Sequence, residues 1–247
     1  MMPFDFRATL VPTLALVVIV PTFVGLGLWQ LNRAAEKQAL QEMYDARSRD
    51  AVVKLGSQQI DPQALRFYRV AAQGEYEPQR QILIDNRVHN GVAGYHVVTP
   101  LHIKGSDARV LVNRGWIPIG PSRARLPDIE TPGGTQIIEG IAVVPLEKIF
   151  MLQTPAPLSG VRWETVWQHL DLKRFGDAVG YPVRPIVILL DPASQAGGFT
   201  REWNRLDSGI AVHQAYAFQW FALAIAALGL YFILGRRAAK GQSNPSN

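Results

Sequence analysis

The sequence predicts a membrane protein of α+β type. A two-helix transmembrane hairpin, made of an N-terminal and a C-terminal span, encloses a β-rich, mainly antiparallel extracytoplasmic domain. Three observations predict it. Two uncharged apolar runs, Ala8–Asn32 and Ala215–Leu234, stand towards the two ends of a 247-residue chain. Each is long enough to cross a hydrocarbon core of about 30 Å as a single helix. Between them, from Phe67 onward, apolar residues recur with a period of two, the signal of half-buried strands.

Composition narrows the chemistry. The chain has no cysteine, which excludes disulfides, covalent c-type haem attachment, thiolate zinc and a Cys-x-x-Cys redox or copper site. The four methionines are scattered, unlike those of a methionine-rich copper carrier. The net charge of +5 invites comparison with nucleic-acid binders. Its distribution argues otherwise, because acidic and basic residues nearly balance between residues 34 and 212. The excess lies in Arg7, Arg33, Arg236, Arg237 and Lys240 against Asp5. Basic residues beside apolar spans are what the positive-inside rule expects, with no polyanion needed.

Residues 1–9 form a short head, without the Arg- and Ser-rich pattern of a mitochondrial presequence. A bacterial protein is the simpler reading. The first span covers residues 10–31. It is too long for a signal-peptide core and no A-x-A site closes it, so it is expected to remain as a helix. Pro12 and Pro21 are possible kinks. Thr22, Gly25, Trp29 and Arg33 share one helical face, and Gly25 and Gly27 allow a second helix to approach. Trp29 fits an interfacial aromatic belt. Residues 34–212 form the outer domain. It opens on a helix over Ala34–Ser48 that continues the first span. Strands are predicted at Tyr68–Gly74, Gln81–Arg87, Tyr95–Ile103, Ala108–Ile119, Thr135–Val143 and Val183–Leu190, with a short helix at Asp171–Val179. Their even spacing suggests an antiparallel sheet or small barrel. The second span covers residues 215–234, followed by a basic tail at 235–247. Its charge places both termini in the cytoplasm and the outer domain in the periplasm.

The front of the second span carries the most chemistry. His213, Tyr216 and Trp220 fall at i, i+3 and i+7, on one helical stripe. Ala217 and Ala224 lie on the same side and are expected to leave room for a flat body. A histidine at a membrane boundary, above small residues and beside an aromatic, fits a haem seat. The blander reading is a boundary residue that anchors the helix by hydrogen bonds, with Tyr216 and Trp220 as belt aromatics. Gln219 is expected to face the first helix or a partner subunit. For Arg33 the bland reading is a snorkelling end-of-helix charge; the sharper one pairs it with a haem propionate.

Several blocks then coincide. Leu28-Trp29-Gln30-Leu31-Asn32-Arg33 is followed by Gly74-Glu75-Tyr76 and by Gly94-Tyr95-His96-Val97-Val98-Thr99-Pro100-Leu101. After these come Val112-Asn113-Arg114-Gly115-Trp116-Ile117-Pro118 and His213-Gln214-Ala215-Tyr216-Ala217-Phe218-Gln219-Trp220-Phe221. Together, over nearly the whole chain, they resemble the surfeit locus protein 1 family of cytochrome c oxidase assembly factors. The resemblance implies a part in building haem–copper terminal oxidases of the respiratory chain. It implies transient binding of haem a, with His213 as axial ligand to the iron and Trp220 as the matching aromatic. The expected partners are the catalytic subunit of the oxidase and the haem a synthase. The site then comprises His213, Tyr216 and Trp220, with Trp29 and the Gly25–Trp29 face as opposite wall and Arg33 at the propionates.

Asn113, Arg114, Gly115 and Trp116 end an apolar strand. They read either as a turn that needs glycine or as a rim that docks the oxidase subunit. His89, His96, His102 and His169 do not make a metal set, since His96 and His102 lie about 20 Å apart along an extended strand. Asp85 and Asp191 end apolar strands but have no nucleophile or base spaced to work with them, and no catalytic motif is present, so no enzymatic role is expected. The alternative to a haem carrier is a cofactor-free membrane chaperone that stabilises an oxidase assembly intermediate.

Overall fold

The structure, a computed structural model, describes residues 10–58, 60–120, 125–145, 163–203 and 209–242, with backbone only for 240–242. The head at residues 1–9 lies outside the described residues, as do residues 243–247 of the tail. The chain forms two compact units, one from Met1–Glu42 and Arg205–Asn247 and the other from Met43–Asn204.

The first unit is a pair of long helices, α1 (Leu10–Arg47) and α4 (Ile210–Gln242). Both are long and apolar enough to cross a membrane. The first span and the helix predicted after it are one uninterrupted helix. Pro21 lies inside it, and the hydroxyl of Thr22 donates back to the carbonyl of Val18, one turn earlier, at 2.7 Å. The helices run antiparallel: Thr13 meets Tyr231 through their hydroxyls at 2.9 Å, and Gln30 meets His213. Along α1 the covered positions include Thr13, Leu16, Val20, Phe23, Gly27, Gln30 and Ala34; along α4 they include His213, Ala217, Trp220, Ala224, Ala227 and Tyr231. Both series alternate steps of three and four, the repeat of a left-handed coiled pair. Most other apolar side chains of the two helices are exposed, among them Leu14, Leu28, Phe218 and Ile225.

The second unit is built on an eight-stranded sheet of β1 (Val53–Leu55), β2 (Arg69–Tyr76), β3 (Ile82–His89), β4 (Val92–Ile103), β5 (Arg109–Pro118), β6 (Thr135–Val143), β7 (Val166–Trp167) and β8 (Val183–Leu190). The strand order is β1-β2-β6-β8-β5-β4-β3-β7. A further pairing of β2 with β4, Gly74 opposite Ile103, closes β2, β6, β8, β5 and β4 into a ring. Val70, Leu101, Val112, Ile138 and Ile188 fill one buried cluster. A second cluster packs Phe175 of α3 (Leu172–Val179) on Ile82, Val98, Leu111 and Val187. Asp171 caps α3 by accepting from the amide of Arg174, and Gly180 ends it in the left-handed region at φ 72°. The short helix α2 (Pro62–Leu65) completes the elements. The predicted long strands are all present and their ends move by no more than three residues. The mainly antiparallel expectation is modified by three parallel pairings, β1 with β2, β3 with β7 and β5 with β8.

Candidate functional site

His213 stands in the first turn of α4, its amide donating to the carbonyl of Gly209 at 3.1 Å. Its side chain is half-buried and turns to α1, where Nδ1 lies 2.6 Å from Oε1 of Gln30. An amide oxygen only accepts, so Nδ1–H is the donor in this contact, and whenever the ring is neutral its lone pair lies on Nε2. Gln30 is the residue sequence reasoning missed. The available signal was its spacing: three residues after Gly27 and four before Ala34, it is a polar group set in a seam of small residues. Gln219, expected to face the first helix, is exposed instead.

Trp220 lies on the same seam, two helical turns on, with its ring 5.5 Å from that of Phe23. Ala217 and Ala224 are 1% and 5% exposed. The room expected beside them for a flat body is therefore taken by the other helix, because small residues at seam positions let two backbones approach. Gly27 serves the same purpose: a Cβ there would stand 2.7 Å from the ring of Phe221. Gly25 has nothing within 4 Å of its Cβ direction, so the expected wall from Gly25 to Trp29 is not the face that meets α4. The face that does lies one residue round the helix, through Phe23, Gly27 and Gln30. Trp29 is 57% exposed. Arg33 points outward and pairs with Glu36 at 2.7 Å. Tyr216 is also exposed. The structure thus brings together His213 and Trp220 on the seam and leaves Trp29, Arg33 and Tyr216 on the outer surface of the pair.

In the second unit, β5 carries a bulge against β4. Val97 pairs with Gly115 and Val98 with Asn113, so Arg114 is the extra residue, re-aimed into the interior. Its guanidinium is fully buried. It donates to Oγ1 of Thr131 at 2.9 Å, to the carbonyl of Glu130 at 2.6 Å and to Oε1 of Gln81 at 3.2 Å. The rings of Tyr76 and Phe199 lie about it, 5.1 Å and 5.0 Å from its central carbon. Burial lowers the pKa of Arg114, and the nearby Tyr76 phenol works the other way. The same burial pushes the Tyr76 phenol up to about 12. Gly115 follows at φ 123°, where a Cβ would stand 2.7 Å from the carbonyl of Thr200. Trp116 is half-buried; its amide donates to that carbonyl and its indole to the carbonyl of Arg87. Asn113 is buried, its side-chain amide 3.3 Å from Nδ1 of His96. Burial first, then Arg87, lowers the pKa of His96 to about 4, so the ring is neutral around pH 7 and accepts from Asn113. Of this block, Trp116 alone keeps a surface that a partner could touch.

A model of the SURF1 family matches residues 17–225, a stretch holding Gln30, His213 and the whole sheet. The chain is 25% identical over 236 residues to Surfeit locus protein 1 of Mus musculus, covering 88% of this chain and 73% of that one. It is 26% identical over 228 residues to the SURF1-like protein of Rickettsia felis, covering 89% and 96%. To the SURF1-like protein of Drosophila melanogaster it is 28% identical over 239 residues, covering 88% and 75%.

Proposed function

The chain belongs to the SURF1 family, and from that premise we propose that it is a membrane-anchored assembly factor for a haem–copper terminal oxidase, cytochrome c oxidase in kind. In this reading α1 and α4 cross a bacterial inner membrane with both termini in the cytoplasm. The sheet unit works in the periplasm. The chain holds haem a in passing and gives it to the catalytic subunit of the oxidase, having received it from the haem a synthase.

The observation that carries the reading is the contact of Gln30 with His213, a polar pair set among small and apolar residues where the two helices meet. A half-buried imidazole whose Nδ1 is engaged offers Nε2 as a neutral axial donor, the ligand haem iron takes most readily from a protein. The donor set fits the group: one nitrogen, oriented by a second residue. When bound, haem would supply the redox-active iron, and His213 would hold it through Nε2. The seam is closed by Trp220 on Phe23 and by Phe221 on Gly27. Trp220 therefore supports His213 from within, and the exposed Tyr216, Trp29 and Arg33 are the outward groups that would meet the macrocycle. Arg33 has the planar fork that suits a propionate, and its exposed partner Glu36 is exchanged at little cost. The partner surface of the sheet unit includes Trp116, with Asn113, Arg114 and Gly115 holding the shape behind it.

The same closed seam supports a second reading, a cofactor-free chaperone in which the helix pair is only an anchor. An absorption spectrum separates them. The full chain is purified in detergent after co-expression with a haem a synthesis pathway, as wild type, His213→Ala and Arg33→Ala. The carrier reading expects a reduced haem a band in wild type, lost or shifted in His213→Ala and weakened in Arg33→Ala. No band in wild type, with synthesis verified, favours the chaperone.

A further inference from the structure

The contact between His213 and Gln30 has a direction. The amide oxygen has no hydrogen to give, so the 2.6 Å separation puts the proton on Nδ1 and leaves the lone pair on Nε2. An unrestrained neutral histidine side chain favours the reverse arrangement, with the proton on Nε2, and so would turn its poorer-placed nitrogen to a ligand. Gln30 is well placed to impose the other state. It lies on α1, not on the helix of the histidine, and it sits between Gly27 and Ala34 in the seam, where its side chain is half-buried. Among apolar neighbours a polar side chain keeps the partner it has, because little else competes for it.

We propose that Gln30 is a positioning residue: by accepting Nδ1–H across the helix pair it fixes the tautomer and the ring orientation of His213 and presents Nε2 to haem iron. The proposal rests on the reading of His213 as the haem ligand. The kind of partner also matters. A carboxylate in this place would draw the imidazole towards imidazolate and make it a stronger donor. A neutral amide orients the ring without that gain. The resulting iron site is well aimed but only moderately strong, which suits a chain that gives its haem away.

The test starts on the haem-free full chain in detergent micelles, with nitrogen-15 in its histidines. The His213 signals are those missing in His213→Ala. In wild type, Nδ1 should resonate as a protonated ring nitrogen and Nε2 as an unprotonated one. Gln30→Leu, which suits an apolar seam, should move both signals towards the opposite tautomer. It should also weaken haem retention about 10- to 100-fold, the usual effect of losing the partner of a ligating histidine. Gln30→Glu keeps an acceptor oxygen facing the ring and should restore the proton on Nδ1, with retention at the wild-type level or above it. Should leucine disturb the helix pair, as seen in helical content or size, Gln30→Met makes the same comparison with a side chain of nearly native length. Unchanged His213 signals in the apolar variants overturn the proposal. So does unchanged haem retention in a variant whose signals have moved. If wild type takes up no haem, the haem-ligand reading of His213 fails, and the nitrogen pattern still decides whether Gln30 sets the tautomer.

Discussion

A guanidinium with no exposed surface must find its partners inside the protein, and the two terminal nitrogens of Arg114 do so with oxygens that carry no charge, while Nε is left without one. The bulge in β5 makes this possible by adding one residue between Asn113 and Gly115, which turns the side chain inward beneath Phe199 and beside Tyr76. Lysine has neither the planar fork nor the spread of donors. Arg114→Lys should therefore leave Glu130 or Thr131 without a donor and lower stability by about 2 kcal/mol, read from chemical denaturation of the full chain. A change within a few tenths of that unit would show the cage to be dispensable. His96 sets a pH dependence nearby. Its folded-state pKa of about 4 lies below the ordinary value of 6.5, so between these values the unfolded chain binds the proton more readily. Stability from this group is complete above about pH 6.5 and is lost as pH falls towards 4. His96→Gln should flatten that part of a thermal-stability curve against pH; a curve that keeps its slope would place the titration elsewhere.

Among elements, the helix pair shows what a single sequence conveys and what it withholds. The length and apolarity of α1 and α4 were legible, because twenty uncharged residues have few other uses. The facing sides were not. Thr22, Gly25, Trp29 and Arg33 do line one stripe, but a helix has several, and only the partner chooses among them. The choice falls on the stripe with Gly27 and Ala34 facing Ala217 and Ala224, since close backbone packing is what holds bilayer helices together. A search for alternating steps of three and four in both segments at once would have found the seam, and Gln30 with it. The strands followed the period-two signal, except β1 and β7, which have three and two residues and too little pattern to read. The parallel pairing of β5 with β8 joins segments far apart in the chain, which local pattern cannot convey. The seam makes a sharp prediction. Gly27→Leu should wedge the helices apart against Phe221 and cost about 1–3 kcal/mol, with partial recovery when Phe221→Ala is added. Gly25→Leu, with open space around it, should be close to neutral. Thermal melting of the detergent-solubilised chain measures all three against wild type. Equal effects at the two glycines would contradict the register.

For the whole molecule, the sheet unit is closed on itself by the pairing of β2 with β4, while the helix pair leaves most of its apolar surface uncovered. That contrast accounts for the basic residues that flank the apolar runs, and for the near balance of charge elsewhere. Under the proposed function the two units would have separable tasks: the sheet unit to meet a protein, the helix pair to stay in the bilayer and hold the haem. The residue contributions at Arg114 and Gly27 should accordingly add, being set in different units with no shared partners. The most direct measurement follows haem a from this chain to its client. Haem-loaded wild type and His213→Ala, reconstituted in liposomes, are each mixed with the haem-free catalytic subunit, and the absorption of the re-isolated subunit is recorded. The account predicts a haem a spectrum in the subunit after mixing with wild type and little or none after mixing with the variant. An equal spectrum from both, or none from wild type that had carried haem, would contradict it.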